Sequence, residues 1–168
     1  MVSLRLLEKS DRERFIKDNQ YAFKYGALEE FGRRDEHFEE EGEIISRKTI
    51  EDSIDGGIAY RIVEDGRFVG GLVLRIDGER GDLELLFISP DAHSRGIGTA
   101  AWQAVEALYP GVKVWETCTP YFEKRNIHFY INKCGFQAVE FFNRKHPDPN
   151  DPENDGSDEM FRFQKIIK

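Results

Sequence analysis

Cysteine is scarce in this chain of 168 residues. Cys118 and Cys134 are the only two, and they form neither a CxxC pair nor a spacing typical of metal ligands. A disulfide scaffold or a thiolate zinc site is therefore not expected. Both read as reduced, small apolar side chains, no metal is called for, and the expected location is cytoplasmic. Long apolar runs are also missing, so no membrane partner is expected. The opening MVSLRLLEKSDRER becomes charged too early for a secretory signal. Positive charge is in short supply, with 24 Lys+Arg against 32 Asp+Glu and a formal net charge of −8. A nucleic-acid partner would want a basic face and is not expected; the balance leans toward a cationic or amine-bearing substrate. Neither an internal repeat nor a compositional break stands out. At 39% hydrophobic residues the chain reads as one folded domain over residues 1–168.

What is present is an alternation of strand and helix patterns. Val2–Leu7 reads as a strand. Ser10 or Asp11 caps a helix whose apolar positions Phe15, Ile16, Ala22 and Phe23 recur at helical spacing to about Lys24. Residues 26–42 are charged and aromatic and read as helix and loop. Ile44–Ile54 reads as a second helix ended by Gly56-Gly57. Strands follow at Ala59–Glu64, Arg67–Asp77 and Asp82–Ser89, joined by an Asp65-Gly66 turn and a turn at Gly78–Gly81. A helix at Ile97–Leu108, a strand at Val112–Thr117, a helix from Tyr121 or Phe122 to Lys133 and a strand at Phe136–Asn143 come next. The proline-rich, acidic stretch HPDPNDPENDGS (146–157) reads as a surface connection, or a flap over a site. Met160–Ile167 is a final strand.

One stretch carries chemistry. LELLFISP runs into His93-Ser94-Arg95-Gly96-Ile97-Gly98-Thr99 and then an alanine-rich helix. A strand that feeds a glycine turn opening a helix makes an anion site, because the first amides of a helix lack intrahelical partners and carry the positive dipole end. Gly96 and Gly98 let a phosphate approach the backbone. The expected ligand is a phosphorylated cofactor. The third glycine of G-x-G-x-x-G is absent, which argues against dinucleotide binding, and the missing Gly-Lys-Ser/Thr excludes a P-loop.

The order of elements and the segment His93–Gly98 resemble the GNAT superfamily of N-acetyltransferases, whose Q/R-x-x-G-x-G/A turn holds the coenzyme A pyrophosphate. His93 stands where the family usually has Gln or Arg. A second region, RNIHFYINKCGF (125–136), resembles the family's later signature, a tyrosine-bearing helix running into Gly-Phe. Four residues separate Tyr130 from Gly135 where the family often has three, an excess that a bulge or a longer helix end would absorb. The resemblance implies an α/β fold, with a central, mostly antiparallel seven-stranded sheet flanked by helices. It implies acetyl-CoA as cosubstrate and direct transfer to a primary amine of a small molecule or peptide, such as a polyamine, an aminoglycoside or a basic peptide. A homodimer is a further family-level expectation.

The same resemblance distributes roles. His93, Ser94, Arg95, Gly96, Ile97, Gly98 and Thr99 surround the pyrophosphate, main-chain groups of Phe87 and Ile88 pair with the pantetheine arm, and Asn126 replaces the family's asparagine. Glu84, an acid within the apolar strand LELLF, is the candidate base for the amine, with Asp82 on its face two residues earlier; partial burial would raise the pKa of such a carboxyl. Glu84 also reads as an ordinary solvent-facing strand residue. Tyr130 is the candidate acid for the leaving thiolate, or a core aromatic. Arg95 is equally a solvated turn residue. Glu29, Glu30, Asp35, Glu36 and Glu39–Glu41 either greet a cationic acceptor or form a solvated face. Two alternatives stand beside the transferase: a non-catalytic coenzyme A-binding sensor with the same fold, and a transferase of longer acyl groups. Neither cysteine has an adjacent base to make it a nucleophile.

Overall fold

The structure, a computed structural model, describes residues 1–31, 42–93, 95–121, 123–152, 156 and 159–168, with backbone only for 27–31. Seven strands form one mixed sheet in the order β1-β2-β3-β4-β5-β7-β6. They are β1 Val2–Leu6, β2 Ile58–Glu64, β3 Arg67–Asp77, β4 Arg80–Ile88, β5 Val114–Pro120, β6 Gln137–Phe142 and β7 Met160–Ile166. The helices are α1 Arg12–Phe31, α2 Arg47–Gly56, α3 Ile97–Leu108 and α4 Lys124–His128. Among the described residues no helix is long and apolar enough to cross a membrane. The expected α/β class and strand number hold. A parallel ladder joins β4 to β5, from Arg80↔Val114 to Asp82↔Glu116. Pairings β1–β2, β2–β3, β5–β7 and β6–β7 are antiparallel.

The chain divides into two compact units, Met1–Arg75 with Glu84–Leu108, and Ile76–Leu83 with Tyr109–Lys168. In the first, β2 and β3 are joined by Asp65 and Gly66 at φ 51 and 78, the double positive φ that an Asp-Gly hairpin turn requires. Helix α1 continues past the expected end near Lys24 to Phe31. Good helix formers follow Gly26, and one glycine costs a helix only about 1 kcal/mol. Helix α2 starts at Arg47 rather than Ile44, because Ser46 accepts the Thr49 amide at 3.1 Å and caps it. Ile45 just before that cap and Ile50 just after it both enter the core, the arrangement of a hydrophobic staple. With Phe15, Ile16, Ala22, Ala59, Val73, Leu85 and Phe87 they form one buried cluster.

Beside that cluster lies Arg61 of β2, only 1% exposed. Its guanidinium reaches Asp18 at 2.8 Å and stacks near Phe68 (4.4 Å) and Phe15 (5.7 Å). Its Nε lies 3.0 Å from Asp11 Oδ2 but out of line for a hydrogen bond. The alternate residues of the central strands, Tyr60, Ile62, Leu72 and Leu74, are buried on the opposite face. Helix α3 packs against β1 and buries Ile97, Ala101, Trp102 and Val105, one stripe of its surface.

The second unit is built on Trp115, Phe136 and Phe163, all essentially inaccessible. Gly81 makes room for the indole: a Cβ there would stand 2.5 Å from the Trp115 ring. Helix α4 passes directly into a π-helical turn, Phe129–Lys133. The other face of this unit carries a run of charges, Arg80–Glu116–Arg162–Glu140–His146.

Candidate functional site

In the first unit the site residues gather at the end of β4. Phe87 packs edge-on against Phe15, with ring centroids 5.1 Å apart. This contact depends on Gly71, where a Cβ would fall 2.4 Å from the Phe15 ring and 2.8 Å from that of Phe87. The Phe87 carbonyl is directed at β3, since a Cβ on Gly70 would sit 2.3 Å from it, and the Ser89 amide donates to Val69 at 2.8 Å. Strand alternation therefore turns the Ile88 amide and carbonyl to the other side. The Ile88 carbonyl is engaged by His93 Nε2 at 2.9 Å. A carbonyl only accepts, so that nitrogen carries the proton. The His93 ring also meets Tyr25 of α1, edge to face at 6.1 Å. His93 thus works as a strut between the end of β4 and α1.

The turn itself has the geometry of an anion cradle. Gly96 adopts φ +72, and among the described residues nothing beyond its chain neighbours lies within 4 Å of where its Cβ would be. The Ala100 amide makes its helical bond to the Gly96 carbonyl at 3.1 Å, so the amides of Ile97, Gly98 and Thr99 precede the first turn of bonding in α3. Arg95 lies 3.2 Å from the Glu64 carboxylate at the end of β2. Ser94 lies outside the described residues, as do residues 32–41 of the acidic segment. Glu84 takes the solvent-facing position that is one of its two sequence readings, not the partly buried one. It reaches solvent and lies 3.4 Å from Arg75 Nε, because alternation along β4 buries Leu83, Leu85 and Phe87 on one face and leaves Asp82 and Glu84 on the other.

In the second unit Tyr130 sits in the π-turn, where the Cys134 amide bonds back five residues to Phe129 at 3.0 Å. The extra residue before Gly135 is taken up there: Gly135 adopts φ 82 and the Phe136 amide reaches the Tyr130 carbonyl at 2.8 Å. Tyr130 is buried, its ring 5.2–5.8 Å from those of Phe129, Phe136 and Phe163. Burial, with Cys134 beside it, pushes its phenol far above the ordinary range, while a hydrogen bond with Thr117 works the other way. Thr117 in turn donates to the Leu83 carbonyl at 2.9 Å. Asn126 Nδ2 lies 3.4 Å from the Thr119 hydroxyl on the same strand. Desolvation and the nearby Asp148 carboxylate push the Cys118 thiol up to about 12, although the residue still reaches solvent.

Sequence reasoning missed Thr117 and the Tyr25–His93 contact. The signal for Thr117 was there in WETCTP, where Thr117 and Thr119 occupy the same alternating face as buried Trp115. Buried hydroxyls need partners, and that need marks them as part of a network. Nothing in the sequence signals that Tyr25 meets His93.

The sequence profile described as Acetyltransferase (GNAT) family matches residues 18–136. The uncharacterized protein YrkN of Bacillus subtilis is 45% identical over 99% of this chain and 94% of its own length. Among solved structures, the ribosomal-protein-S18-alanine N-acetyltransferase of Escherichia coli superposes with a TM-score of 0.71 at 15% identity, over 100% of this chain and 95% of that one. The PaiA N-acetyltransferase of Thermoplasma acidophilum, in complex with coenzyme A, gives 0.68 at 18% identity and 99% of both chains. The profile spans the glycine turn, Tyr130 and Gly135-Phe136, so the chain belongs to the GNAT family of acetyltransferases and is an acyltransferase enzyme.

Proposed function

We propose that the protein moves the acetyl group of acetyl-CoA directly to the primary amine of a small molecule or peptide. The observation that carries this reading is the Gly96 turn, with its positive φ, its open space and three helix-opening amides. Those residues fit a diphosphate: the amides of Ile97, Gly98 and Thr99 would hold its oxygens, and Arg95 would add charge by exchanging Glu64 for phosphate. Since the Phe87 carbonyl is directed at β3, Ile88 is the residue of the two whose amide would pair with the pantetheine arm. Glu84, 3.4 Å from Arg75, takes the amine proton, directly or through water. Tyr130 gives its proton to the departing sulfur.

The test is calorimetric binding of acetyl-CoA beside thiol release against a panel of polyamines, aminoglycosides, amino acids and basic peptides. Binding with turnover on one amine class is the expected result and names the acceptor. Binding without turnover on any of them would favour the sensor reading. Absence of binding would overturn the assignment of the turn. Gly96→Val, which forces a branched side chain into positive φ, should weaken acetyl-CoA binding at least tenfold.

A further inference from the structure

In the first unit the Gly96 turn is tied to the end of the β2–β3 hairpin by two ion pairs of opposite sense. Arg95 of the turn lies 3.2 Å from Glu64, the last residue of β2. Arg67, the first residue of β3, lies 3.6 Å from Asp91, between β4 and α3. Glu64 and Arg67 are themselves partners in the β2–β3 register, where they close the Asp65-Gly66 turn, and residues opposite one another in a ladder share a face. The charges thus alternate in sign along Arg95, Glu64, Arg67 and Asp91, and they sum to zero. Burial separates the two pairs. Glu64 is 22% exposed, whereas Arg67 and Asp91 are both 73% exposed. The Arg95–Glu64 pair is therefore the less screened of the two.

We propose that Glu64 sets the affinity of the turn for acetyl-CoA: it holds Arg95 in the free protein, yields it to the diphosphate, and takes it back when coenzyme A leaves. This rests on reading the Gly96 turn as the diphosphate site. A diphosphate carries more charge than one carboxylate, and the helix-opening amides of Ile97, Gly98 and Thr99 would hold it besides, so it wins the guanidinium from Glu64. Binding then has to break the Arg95–Glu64 pair, and it leaves a carboxylate beside an anion. Both costs weaken the complex. Arg67 moderates the first of them, because it stays opposite Glu64 in the ladder after Arg95 has gone. Arg67 also anchors the hairpin to Asp91, so that Glu64 keeps its place at the turn instead of following Arg95. The exchange makes and breaks no covalent bond. It lets one turn bind the acyl donor and still release the thiol product, which carries the same diphosphate.

The experiment is calorimetric binding of acetyl-CoA to the full chain as parent, Glu64→Gln, Arg95→Gln and the double variant. Glu64→Gln should bind about two- to fivefold tighter than the parent, the range of an exposed ion pair that no longer has to be broken. Arg95→Gln should bind more weakly, and in that background Glu64→Gln should change the dissociation constant by less than about twofold. A Glu64→Gln protein that binds no tighter than the parent would overturn the proposal. An equal gain in both backgrounds would overturn it too, since that is plain repulsion between Glu64 and the ligand. Glu64→Thr removes the same carboxylate with a strand-forming residue and serves if the glutamine variant does not fold. The underlying reading fails separately. If the parent does not bind acetyl-CoA, the turn is not the diphosphate site and the proposal falls with it. If the parent binds and Arg95→Gln binds equally well, the turn stands and the exchange alone is refuted.

Discussion

Replacing Tyr130 by phenylalanine should reverse its effect on stability as pH rises. The folded chain keeps the Tyr130 proton well above its ordinary range, because burial disfavours the phenolate. The unfolded chain releases that proton near pH ~10. Above this point the unfolded state binds fewer protons than the folded one, so stability falls with rising pH, by up to about 1.4 kcal/mol per pH unit. The tyrosine's contribution is complete below about pH 10 and is lost as pH climbs toward the folded value. The phenylalanine variant has no such proton. Near neutrality Tyr130→Phe, which removes one buried hydroxyl, costs about 1 kcal/mol. By about pH 11.5 the parent has lost about 2 kcal/mol that the variant has not, so their stabilities cross near pH ~10.7. Urea unfolding of both proteins at matched pH would show this, with the other tyrosines, the lysines and Cys118 cancelling in the difference. Curves that stay parallel through the alkaline range would refute the buried, proton-bound phenol.

Other consequences of the packing are as concrete. Gly71→Ala should cost about 1–3 kcal/mol in urea unfolding, because the added carbon meets the Phe15 and Phe87 rings at 2.4 and 2.8 Å. Arg61→Leu should cost about 3–5 kcal/mol, since it leaves Asp11 and Asp18 facing a cation site that no longer exists. On the acid side, His146 first and Arg162 second hold the Glu140 carboxyl below its ordinary value. Its stabilising contribution is present above the ordinary glutamate range and fades as pH falls through the lowered value, so the urea midpoint of Glu140→Gln should vary less with acid pH than the parent's.

Local chemistry made much of this protein legible in advance. Asp65-Gly66 specifies a hairpin turn by the positive φ both residues tolerate, and Gly96 specifies the turn into α3 for the same reason. Four residues before Gly135, where the family often has three, left a bulge or a longer helix end open, and the π-turn at Phe129–Lys133 is where the excess is accommodated. The limits are equally physical. Alternation along LELLF gives the face of Glu84 but not its partner, and the choice between an apolar pocket and Arg75 depends on the fold of β3. Helix ends moved because Ser46, not the apolar pattern, decides where α2 begins.

The departures from the family pattern argue the same way about function. His93 in place of Gln or Arg need not weaken a diphosphate cradle made of main-chain amides. Its ring is spent on the Ile88 carbonyl and on Tyr25, so the substitution joins the end of β4 to α1 instead. The added residue beside Tyr130 could have rotated the phenol by about 100° on an ordinary helix. The π-turn confines the insertion to one widened loop of backbone and leaves the Tyr130 ring packed against Phe136 and Phe163. Thr117 is tied across 34 residues of sequence to Leu83, a contact no periodicity could announce. A GNAT motif read position by position would mark both sites as defects. Read through their partners, one change ties the end of β4 to α1 and the other is taken up within a single π-turn.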